Sequence, residues 1–454
     1  MHKIPESLIN DLKSVKGFDE DAFLEAHQKA PVTSVRLNPE KRVPVFKEAM
    51  RIPWYSDGLY LKERPVFTLD PLFHAGAYYV QEASSMFLDY LVRSILPERN
   101  NLRVLDLCAA PGGKSTLLAS VLDKDSLLIS NEVIRTRASI LEENIARWGY
   151  MNNWVTSNDP KDFGKLDGYF DLIVVDAPCS GSGLFRKDER AVNEWSEANV
   201  LLCSQRQQRI VSDVWSSLKE AGFLIYATCS YSPQEDEEIL SWLSENFEVS
   251  PVNVTFPKEW GIITSVTKEG LNGYRFFPDK VNGEGFFIAA VQKKESAKAL
   301  ALPRFRTLHD KKAADQSAIL MDVERDFSVL NVKDGFVAIE REHEGDFHLL
   351  SKHLYLRKTG IALGSPANKE WIPAHDVALS IDRSSHIPSV AVTKEQALRF
   401  LKKEDMNLAL SEKGWMLIAY EGLGLGWIKS LGNRINNYLP KHWRIRMELP
   451  SDWD

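Results

Sequence analysis

Between residues 102 and 291, short apolar runs alternate with longer stretches in which apolar residues recur every three or four positions. The short runs are typical of buried strands and the longer stretches of amphipathic helices. Repeated alternation of this kind predicts an α/β fold with a mostly parallel, doubly wound sheet. The predicted strands lie at 102–107, 126–131, 154–158, 170–176, 223–228 and 286–291, and the predicted helices at 114–122, 134–148, 200–218 and 235–246.

The pattern differs on both sides of this region. Residues 1–75 join a helical pattern at 5–27 to a strand-like alternation at 32–39, which predicts a small α+β region. After Lys293 charged and small residues dominate, as expected of a linker. The C-terminal part mixes both patterns, with a helix expected at 393–401 and strands around 415–420. We therefore expect an N-terminal accessory region at 1–75, a main domain at 76–292, a linker at 293–315 and a C-terminal region at 316–454.

Composition narrows the class of protein. A chain of 454 residues with 44% hydrophobic and 26% charged residues is typical of a soluble protein of two or three domains. The net charge of −7 argues mildly against a protein that binds a polyanion over its whole surface, but it says little about local basic patches. The sequence has no apolar signal region and no run near the ~18 apolar residues of a membrane span. We expect a cytoplasmic monomer without membrane contact.

The cysteines and histidines give no indication of a metal site. The cysteines Cys108, Cys179, Cys203 and Cys229 show no Cys-x-x-Cys spacing, so neither a disulfide framework nor a zinc site is predicted. Cys203 lies inside a predicted helix and is expected in the core. His343 and His348 are five residues apart, which misses the spacing of a helical zinc motif, and we interpret them as surface histidines.

A glycine-containing loop follows the first predicted strand and opens a helix. The sequence Asp106-Leu-Cys-Ala-Ala-Pro-Gly-Gly-Lys114 lacks the spacing of a P-loop, and the dinucleotide fingerprint Gly-x-Gly-x-x-Gly is absent. Glu132 ends the second strand and Asp159 follows the third. A carboxylate at the second strand tip suits ribose hydroxyls and repels phosphate, so S-adenosylmethionine is favoured over ATP or NADP. Each acid taken alone is more often a helix cap or turn residue.

Two cysteines follow later strands. Cys179 lies in Asp176-Ala-Pro-Cys-Ser-Gly, and Cys229 ends the apolar run at 223–228. If these strands are neighbours, both thiols lie at adjacent tips and face the methyl donor. Cys229 taken alone would be a core residue more often than a catalyst, since free cysteines are commonly buried.

Thiols in this position suit methylation of carbon 5 of a pyrimidine. That carbon is a poor nucleophile until a thiolate adds to carbon 6, so covalent catalysis divides a hard step into easier ones. A cation such as Lys114 would favour the thiolate. Asp176 could hold the base at its ring nitrogen or amino group. Two thiols allow one to act as nucleophile and the other to assist release.

These blocks, with Tyr226-Ala-Thr-Cys-Ser230, resemble the signature sequences of the Sun-type RNA cytosine-5 methyltransferases. Further matches are 34–39, 79–82, 275–278 and 283–287, so the resemblance covers about residues 30–292. It implies a Rossmann-like class I methyltransferase fold in which Cys229 is the nucleophile and Cys179 assists product release. It also implies that the methyl donor is held by Cys108, Ala109, Ala110, Pro111, Gly112, Gly113, Lys114, Glu132, Asp159 and Asp176.

The C-terminal half is similar to the bacterial RsmF branch of that family. The segments 422–427 and 436–440 carry this looser match, which implies a cytosine of 16S ribosomal RNA as the target. Asp279 departs from the family, in which many members have histidine after Phe-Phe-Pro. At 429–446 five basic residues and two aromatic residues occur without an acid, a mixture that can bind phosphates and stack on bases. The alternative is a solvated face with core aromatics.

We therefore predict an S-adenosylmethionine-dependent RNA cytosine-5 methyltransferase. RNA, most naturally 16S ribosomal RNA or the small subunit, is its expected partner. The N-terminal region would assist RNA binding, and the C-terminal region would bind RNA through a PUA-like fold. Two alternatives are a tRNA cytosine-5 methyltransferase and a non-catalytic ribosome-assembly factor that binds RNA only. A nucleotide-dependent oxidoreductase is excluded by the missing fingerprint.

Overall fold

The computed structural model describes residues 4–298, 300–303, 310–322, 324, 326–367 and 370–449. Of the predicted linker, residues 299 and 304–309 lie outside the described residues. The last strand of the main sheet continues to Lys293, and a helix begins at Lys311, so regular structure occupies both ends of the predicted segment.

The N-terminal region consists of two seven-residue helices, a small antiparallel sheet and a four-residue helix that precedes the last strand of that sheet. Asp19 caps the second helix by accepting a hydrogen bond from the Ala22 N–H at 3.1 Å. Apolar residues of both helices pack against Tyr231 and Phe277 of the main domain, so this region covers the segment that follows Cys229. The sheet has the order β2-β3-β1-β4. The elements are α1 (Glu6–Leu12), α2 (Glu20–Ala26), β1 (Thr33–Leu37), β2 (Met50–Ile52), β3 (Tyr55–Leu61), α3 (Pro71–His74) and β4 (Tyr78–Val80).

The main domain is built on five parallel strands flanked by helices, and this confirms the predicted Rossmann-like fold. The parallel strands follow the order β9-β8-β5-β6-β7. Their apolar side chains are buried on both faces and form two large core clusters. The elements are α4 (Phe87–Ile95), β5 (Arg103–Asp106), α5 (Gly113–Val121), β6 (Leu127–Asn131), α6 (Arg135–Trp148), β7 (Asn153–Thr156), α7 (Pro160–Phe163), β8 (Phe170–Asp176), α8 (Glu189–Glu194), α9 (Glu197–Val214), β9 (Leu218–Thr228), α10 (Glu237–Asn246), β10 (Val249–Pro251), β11 (Ile263–Val266), β12 (Asn272–Phe276) and β13 (Phe286–Lys293).

The sheet is mixed, so the expectation of a mostly parallel sheet is wrong. Strand β13 runs antiparallel to β9, and β10, β11 and β12 extend that side through further antiparallel pairs. These additional strands have three to five residues, and β11, β12 and β13 follow one another without an intervening α-helix. Antiparallel neighbours need only short connections, and such short strands give little periodicity in the sequence.

The C-terminal region contains two four-stranded sheets and supplies one strand to the main sheet. The two sheets have the orders β14-β15-β17-β18 and β19-β20-β21-β22. Strand β16 pairs antiparallel with β7 and forms the edge of the main sheet. The elements are α11 (Lys311–Leu320), β14 (Phe327–Val332), β15 (Gly335–Glu340), α12 (Glu344–His353), β16 (Leu356–Lys358), β17 (Ile361–Ala367), β18 (Glu370–Pro373), α13 (His375–Leu379), β19 (Ser389–Ala391), α14 (Lys394–Lys402), β20 (Gly414–Tyr420), β21 (Leu423–Ser430) and β22 (Ile435–Asn437).

A buried ion pair joins α12 to the main domain. The guanidinium of Arg103 lies 2.8 Å from the carboxylate of Asp346, which also accepts a hydrogen bond from the Tyr169 hydroxyl at 2.6 Å. Burial alone would raise the pKa of Asp346, but hydrogen bonds from His343, Arg103 and Tyr169 bring it below its ordinary value. The carboxylate is therefore ionised at neutral pH.

His343 also belongs to this cluster, so its interpretation as a surface histidine is wrong. Its side chain is fully buried, and Nδ1 lies 3.3 Å from Asp346 Oδ2. The residue immediately precedes α12, whose first turn is buried against the main domain, and the spacing of the two histidines carried no sign of this contact. Cys203 is buried in α9, as predicted.

We expect Asp346→Ala to destabilise the protein by about 3–5 kcal/mol, because it leaves the buried Arg103 without its partner. The free energy of unfolding from urea titrations followed by tryptophan fluorescence checks this value. Glu48→Ala is the matched control, since it removes an ion pair with Lys62 whose two side chains are both exposed, and a change below about 1 kcal/mol is expected there. Equal effects of the two substitutions would contradict the prediction.

Candidate active site

The candidate site lies where the strand order reverses, between β5 and β8. Asp106 ends β5, Asp176 ends β8, and Cys229 follows β9 directly. The carboxyl ends of parallel strands meet at one edge of the sheet, and ligands of open α/β sheets bind at such a reversal. The prediction that the cysteine-bearing strands are neighbours is confirmed, since β8 pairs with β9.

The loop from Cys108 to Gly113 leads from β5 into α5. Gly112 has φ of +113°, a conformation that suits glycine, at the residue preceding the first turn of α5. Two side chains of α6 hold the loop from outside: Arg137 donates to the Ala110 carbonyl and Asn144 to the Pro111 carbonyl, each at 2.8 Å. The loop is thus fixed by hydrogen bonds before any ligand binds.

A cavity of about 290 Å³ lies beside this loop. Glu132 and Asp159 both line it, as predicted for two acids at strand tips. Each acid also has a local partner: Glu132 accepts from the Ile134 N–H and pairs with Arg137, and Asp159 accepts from the Lys161 N–H. The capping interpretation therefore holds for both side chains, and their role in cofactor binding stays a prediction. The remaining lining residues are Leu107, Cys108, Asn131, Val133, Ile134, Arg137, Pro160, Pro178, Arg206, Arg209 and Ile210.

Asp106 lies at the inner end of the loop. Its side chain is fully buried, Oδ2 accepts a hydrogen bond from Ser115 at 2.6 Å, and Oδ1 has no hydrogen-bond partner among the described residues. Burial raises the pKa of Asp106 to about 7, although the Ser115 hydrogen bond opposes the shift. A buried acceptor without a donor is costly, so this oxygen suits a ligand that brings a donor.

The acids that line the cavity suit the hydroxyl and amino groups of a nucleoside. Glu132 and Asp159 are acceptors for such groups, and three arginines, Arg137, Arg206 and Arg209, line the same cavity. The nearest cation of the loop, Lys114, is engaged elsewhere, since its Nζ lies 2.8 Å from Asp176 Oδ2. The side chains present are therefore compatible with S-adenosylmethionine.

The two predicted thiols are in contact. Cys179 Sγ and Cys229 Sγ are 3.1 Å apart, and the Gly183 N–H donates to the Cys229 carbonyl at 2.8 Å. The Lys114–Asp176 pair lies beside them, with the Lys114 ammonium 5.1 Å from the centre of the Phe286 ring. One strand edge therefore carries two thiols, a carboxylate and a cation.

The charges around the two thiols differ. Burial would lower the pKa of Lys114, but Asp176, with a contribution from Cys229, raises it above its ordinary value, so the amine stays protonated. The hydrogen bond with Cys229, burial and the negative charge of Glu235 raise the pKa of Cys179 well above its ordinary value. Cys179 is therefore held as a thiol. Burial also raises the pKa of Cys108.

Three family models match the chain. They are described as the N-terminal domain of 16S rRNA methyltransferase RsmF at residues 4–83, 16S rRNA methyltransferase RsmB/F at 93–292, and the methyltransferase RsmF PUA domain at 388–445. A protein named ribosomal RNA small subunit methyltransferase F from Psychromonas ingrahamii is 32% identical over 473 residues, covering 97% of both chains. Its counterpart from Shewanella piezotolerans is 30% identical over 410 residues, covering 86% of this chain and 84% of the relative. The chain belongs to the ribosomal RNA small subunit methyltransferase F family.

Solved structures share the fold of about two thirds of the chain. A methyltransferase homologue from Pyrococcus horikoshii has a TM-score of 0.51 at 26% identity, covering 64% of this chain and 100% of that one. NSun6 from the same organism, solved with SFG, has a TM-score of 0.53 at 18% identity, covering 64% and 99%. The resemblance to the Sun-type family and its RsmF branch is thus confirmed.

The PUA domain match at 388–445 includes most of the basic and aromatic segment at 429–446. Trp443 packs against His375 and lies 5.0 Å from the guanidinium of Arg147 in α6, so it joins this domain to the main domain. Tyr438 is 38% exposed and meets Trp415 edge to face at 4.4 Å. The core-aromatic alternative therefore describes Trp443, whereas Tyr438 is available to solvent.

Three further features bear on the sequence predictions. Within the part of the chain that the structure describes, no group of three or more His, Cys, Asp or Glu side chains could hold a metal ion, and no helix is long and apolar enough to cross a membrane. Asp279, which departs from the family pattern, lies 3.0 Å from Lys280 Nζ and has no assigned role.

Sequence reasoning missed the residues that brace the site from behind. Asn131 donates to the carbonyls of Leu107 and Asn158 and so joins the tips of β5 and β7 through β6. Glu235, interpreted only as part of a helix start, is fully buried behind the two thiols. The sequence does carry a signal for Gln207, a partner of Glu235. Gln207 is a polar residue on the apolar face of α9, which also carries Cys203 and Ile210.

We expect Asp106→Asn to flatten the pH dependence of stability. Between the ordinary pKa of about 3.9 and about pH 7, the folded protein keeps a proton on Asp106 that the unfolded chain has lost. The folded state binds more protons, so the wild-type free energy of unfolding falls as pH rises through this window. Urea unfolding at intervals from about pH 4.5 to 7.5 measures the slope. Parallel curves for wild type and variant would refute the prediction.

Proposed function

We propose that the protein transfers a methyl group from S-adenosylmethionine to carbon 5 of a cytosine in 16S ribosomal RNA. The observation that carries this proposal is the 3.1 Å contact of Cys179 and Cys229 beside the Lys114–Asp176 pair. The printed names of the relatives, ribosomal RNA small subunit methyltransferase F, favour ribosomal RNA over transfer RNA as the substrate.

The cofactor would be held by the loop and by the acids of the strand tips. Glu132 is placed for the ribose hydroxyls and Asp159 for the adenine amino group, while Asp106 and Asp176 lie on the side of the thiols. When bound, S-adenosylmethionine supplies an electrophilic methyl group on a sulfonium. The proposed cofactor residues are Cys108, Ala109, Ala110, Pro111, Gly112, Gly113, Lys114, Glu132, Asp159 and Asp176.

Cys229 is the proposed nucleophile. Its thiolate adds to carbon 6 of the cytosine, and the electron pair of the former double bond makes carbon 5 able to accept the methyl group. Lys114 favours the thiolate through its positive charge. Asp176, oriented by Lys114, would accept a hydrogen bond from the amino group of the base and so hold the ring against the sulfur.

Cys179 is the proposed helper in release. After methyl transfer the carbon 5 proton leaves to a base, its electron pair restores the double bond, and the bond between carbon 6 and sulfur breaks. The departing Cys229 sulfur gains negative charge at this moment. Cys179, held as a thiol 3.1 Å away, can donate a hydrogen bond to that sulfur and so stabilise it as it leaves, while keeping its own proton.

We propose the same division of the chain as above. Residues 76–292 form the catalytic domain, residues 1–75 an accessory RNA-binding region, 293–315 a linker and 316–454 the C-terminal RNA-binding region. The PUA domain match at 388–445 and the exposed Tyr438 support a role of the C-terminal region in RNA binding.

Labelled methyl donor, protein and unmodified small subunits or naked 16S RNA test the function directly. We expect the wild type to label one cytosine, read by bisulfite sequencing, and Cys229→Ala to abolish transfer because the nucleophile is lost. Cys203→Ala is the matched control, since this thiol is buried in α9 away from the strand tips. A wild type that binds RNA but labels neither substrate would favour the non-catalytic assembly factor. Labelling of transfer RNA alone would favour the tRNA cytosine-5 methyltransferase.

Cys179→Ala should accumulate a covalent protein–RNA adduct that survives denaturant. The variant keeps the nucleophile but loses the thiol that donates a hydrogen bond to the departing sulfur, so release slows more than addition. Gel electrophoresis under denaturing conditions quantifies the adduct, with Cys179→Ala/Cys229→Ala as the control that forms none. Normal turnover of Cys179→Ala without adduct would rule out the release role.

A further inference from the structure

The residues that follow the two cysteines are bonded to the same carboxylate. Ser180 follows Cys179 and donates its hydroxyl to Glu235 Oε2 at 2.5 Å. Ser230 follows Cys229 and donates its hydroxyl to the same oxygen at 2.6 Å. The backbone N–H of Ser180 donates to Glu235 Oε1 at 2.8 Å. Two loops from different strands therefore converge on one side chain.

Glu235 is itself held on all sides. Gln207 of α9 donates to its Oε1 at 3.1 Å and, through the same amide, to the Pro178 carbonyl ahead of Cys179. The Tyr226 hydroxyl of β9 donates to the Glu235 backbone carbonyl at 2.7 Å. The side chain is fully buried and does not line the cofactor cavity, so it supports the thiols from behind.

We propose that Glu235 is a positioning residue that anchors both cysteine loops and fixes the contact between Cys179 Sγ and Cys229 Sγ. The role in catalysis rests on the proposed function, since the contact matters for the hydrogen bond by which Cys179 stabilises the departing Cys229 sulfur. The anchoring itself is a property of the folded protein and can be measured without RNA.

The ionised form of Glu235 suits this role. Every side chain and N–H group that reaches its two oxygens is a hydrogen-bond donor. A protonated carboxyl would place its own O–H group against one of these donors and lose that hydrogen bond. Burial raises the pKa of Glu235, but the hydrogen bonds from Ser180, Ser230 and Gln207 oppose the shift. Its negative charge contributes to the raised pKa of Cys179 and so helps to keep that sulfur protonated.

Phenylarsine oxide measures the separation of the thiols directly. It condenses with two neighbouring thiols to a dithioarsenite and one water, so the two thiol protons and the arsenic-bound oxygen leave together. Because neutral thiols are consumed, affinity at neutral pH depends on their distance more than on their ionisation. We expect tight one-to-one binding by the wild type that is lost in Cys179→Ala and in Cys229→Ala.

Glu235→Gln should weaken this binding about tenfold or more, as expected when hydrogen bonds to a buried charged group worth about 1.5–3 kcal/mol are lost. In the methylation assay kcat should fall by about the same factor, with KM for RNA and cofactor within about threefold, since Glu235 contacts neither cavity nor solvent. Glu237→Gln is the matched control: it weakens an ion pair with Arg275 two residues along the same segment but touches neither serine.

A second variant keeps the test decisive if Glu235→Gln does not fold. Ser180→Ala/Ser230→Ala removes both hydroxyls and leaves the carboxylate, and it should weaken arsenical binding in the same direction. Wild-type affinity and kcat in a folded Glu235→Gln or in the double variant, or an equal loss in Glu237→Gln, would overturn the proposal. A wild type that binds the arsenical tightly but methylates no RNA would count against the proposed function and not against the anchoring of the thiols.

Discussion

The parallel hydrogen-bonded ladder between β8 and β9 is the constraint on which the site depends. Its register pairs Asp176 with Ala227, so Cys179 and Cys229 lie three and two residues beyond the same point of the sheet. A shift of one residue would turn every side chain of a strand to the opposite face. The register is strongly specified because both strands are largely buried. Any shift would move their apolar side chains out of the core positions in which they pack.

The electrostatics of the strand tips follow from the same convergence. The carboxyl groups of Asp106, Glu132 and Asp176 lie at the same edge of the main sheet, and burial raises the pKa of Asp106 to about 7. Lys114 pairs with Asp176 and Arg137 pairs with Glu132, while the negative charge of Glu235 contributes to the raised pKa of Cys179.

Much of this arrangement could be predicted from the sequence because strong local signals coincide with it. Apolar runs ended by Asp106, Asp176 and Cys229 marked strand tips, and the order of strands then implied their convergence. The short strands β10 to β12 and the edge strand β16 could not be predicted, since three to five residues give no period. The roles of Glu235 and His343 depend on partners many positions away in the sequence, such as Ser180 for Glu235, and no local pattern reports such contacts.

Strand β16 gives the C-terminal region a place in the catalytic sheet. By pairing with β7 it occupies the row of backbone N–H and C=O groups that an edge strand otherwise presents to solvent. The residue before it, Tyr355, bonds through its backbone to Ser157 and Asn158, directly ahead of Asp159 in the cofactor cavity. The C-terminal region therefore holds the side of the cavity that carries Asp159, and loss of this region would remove a strand of the main sheet as well as the two smaller sheets.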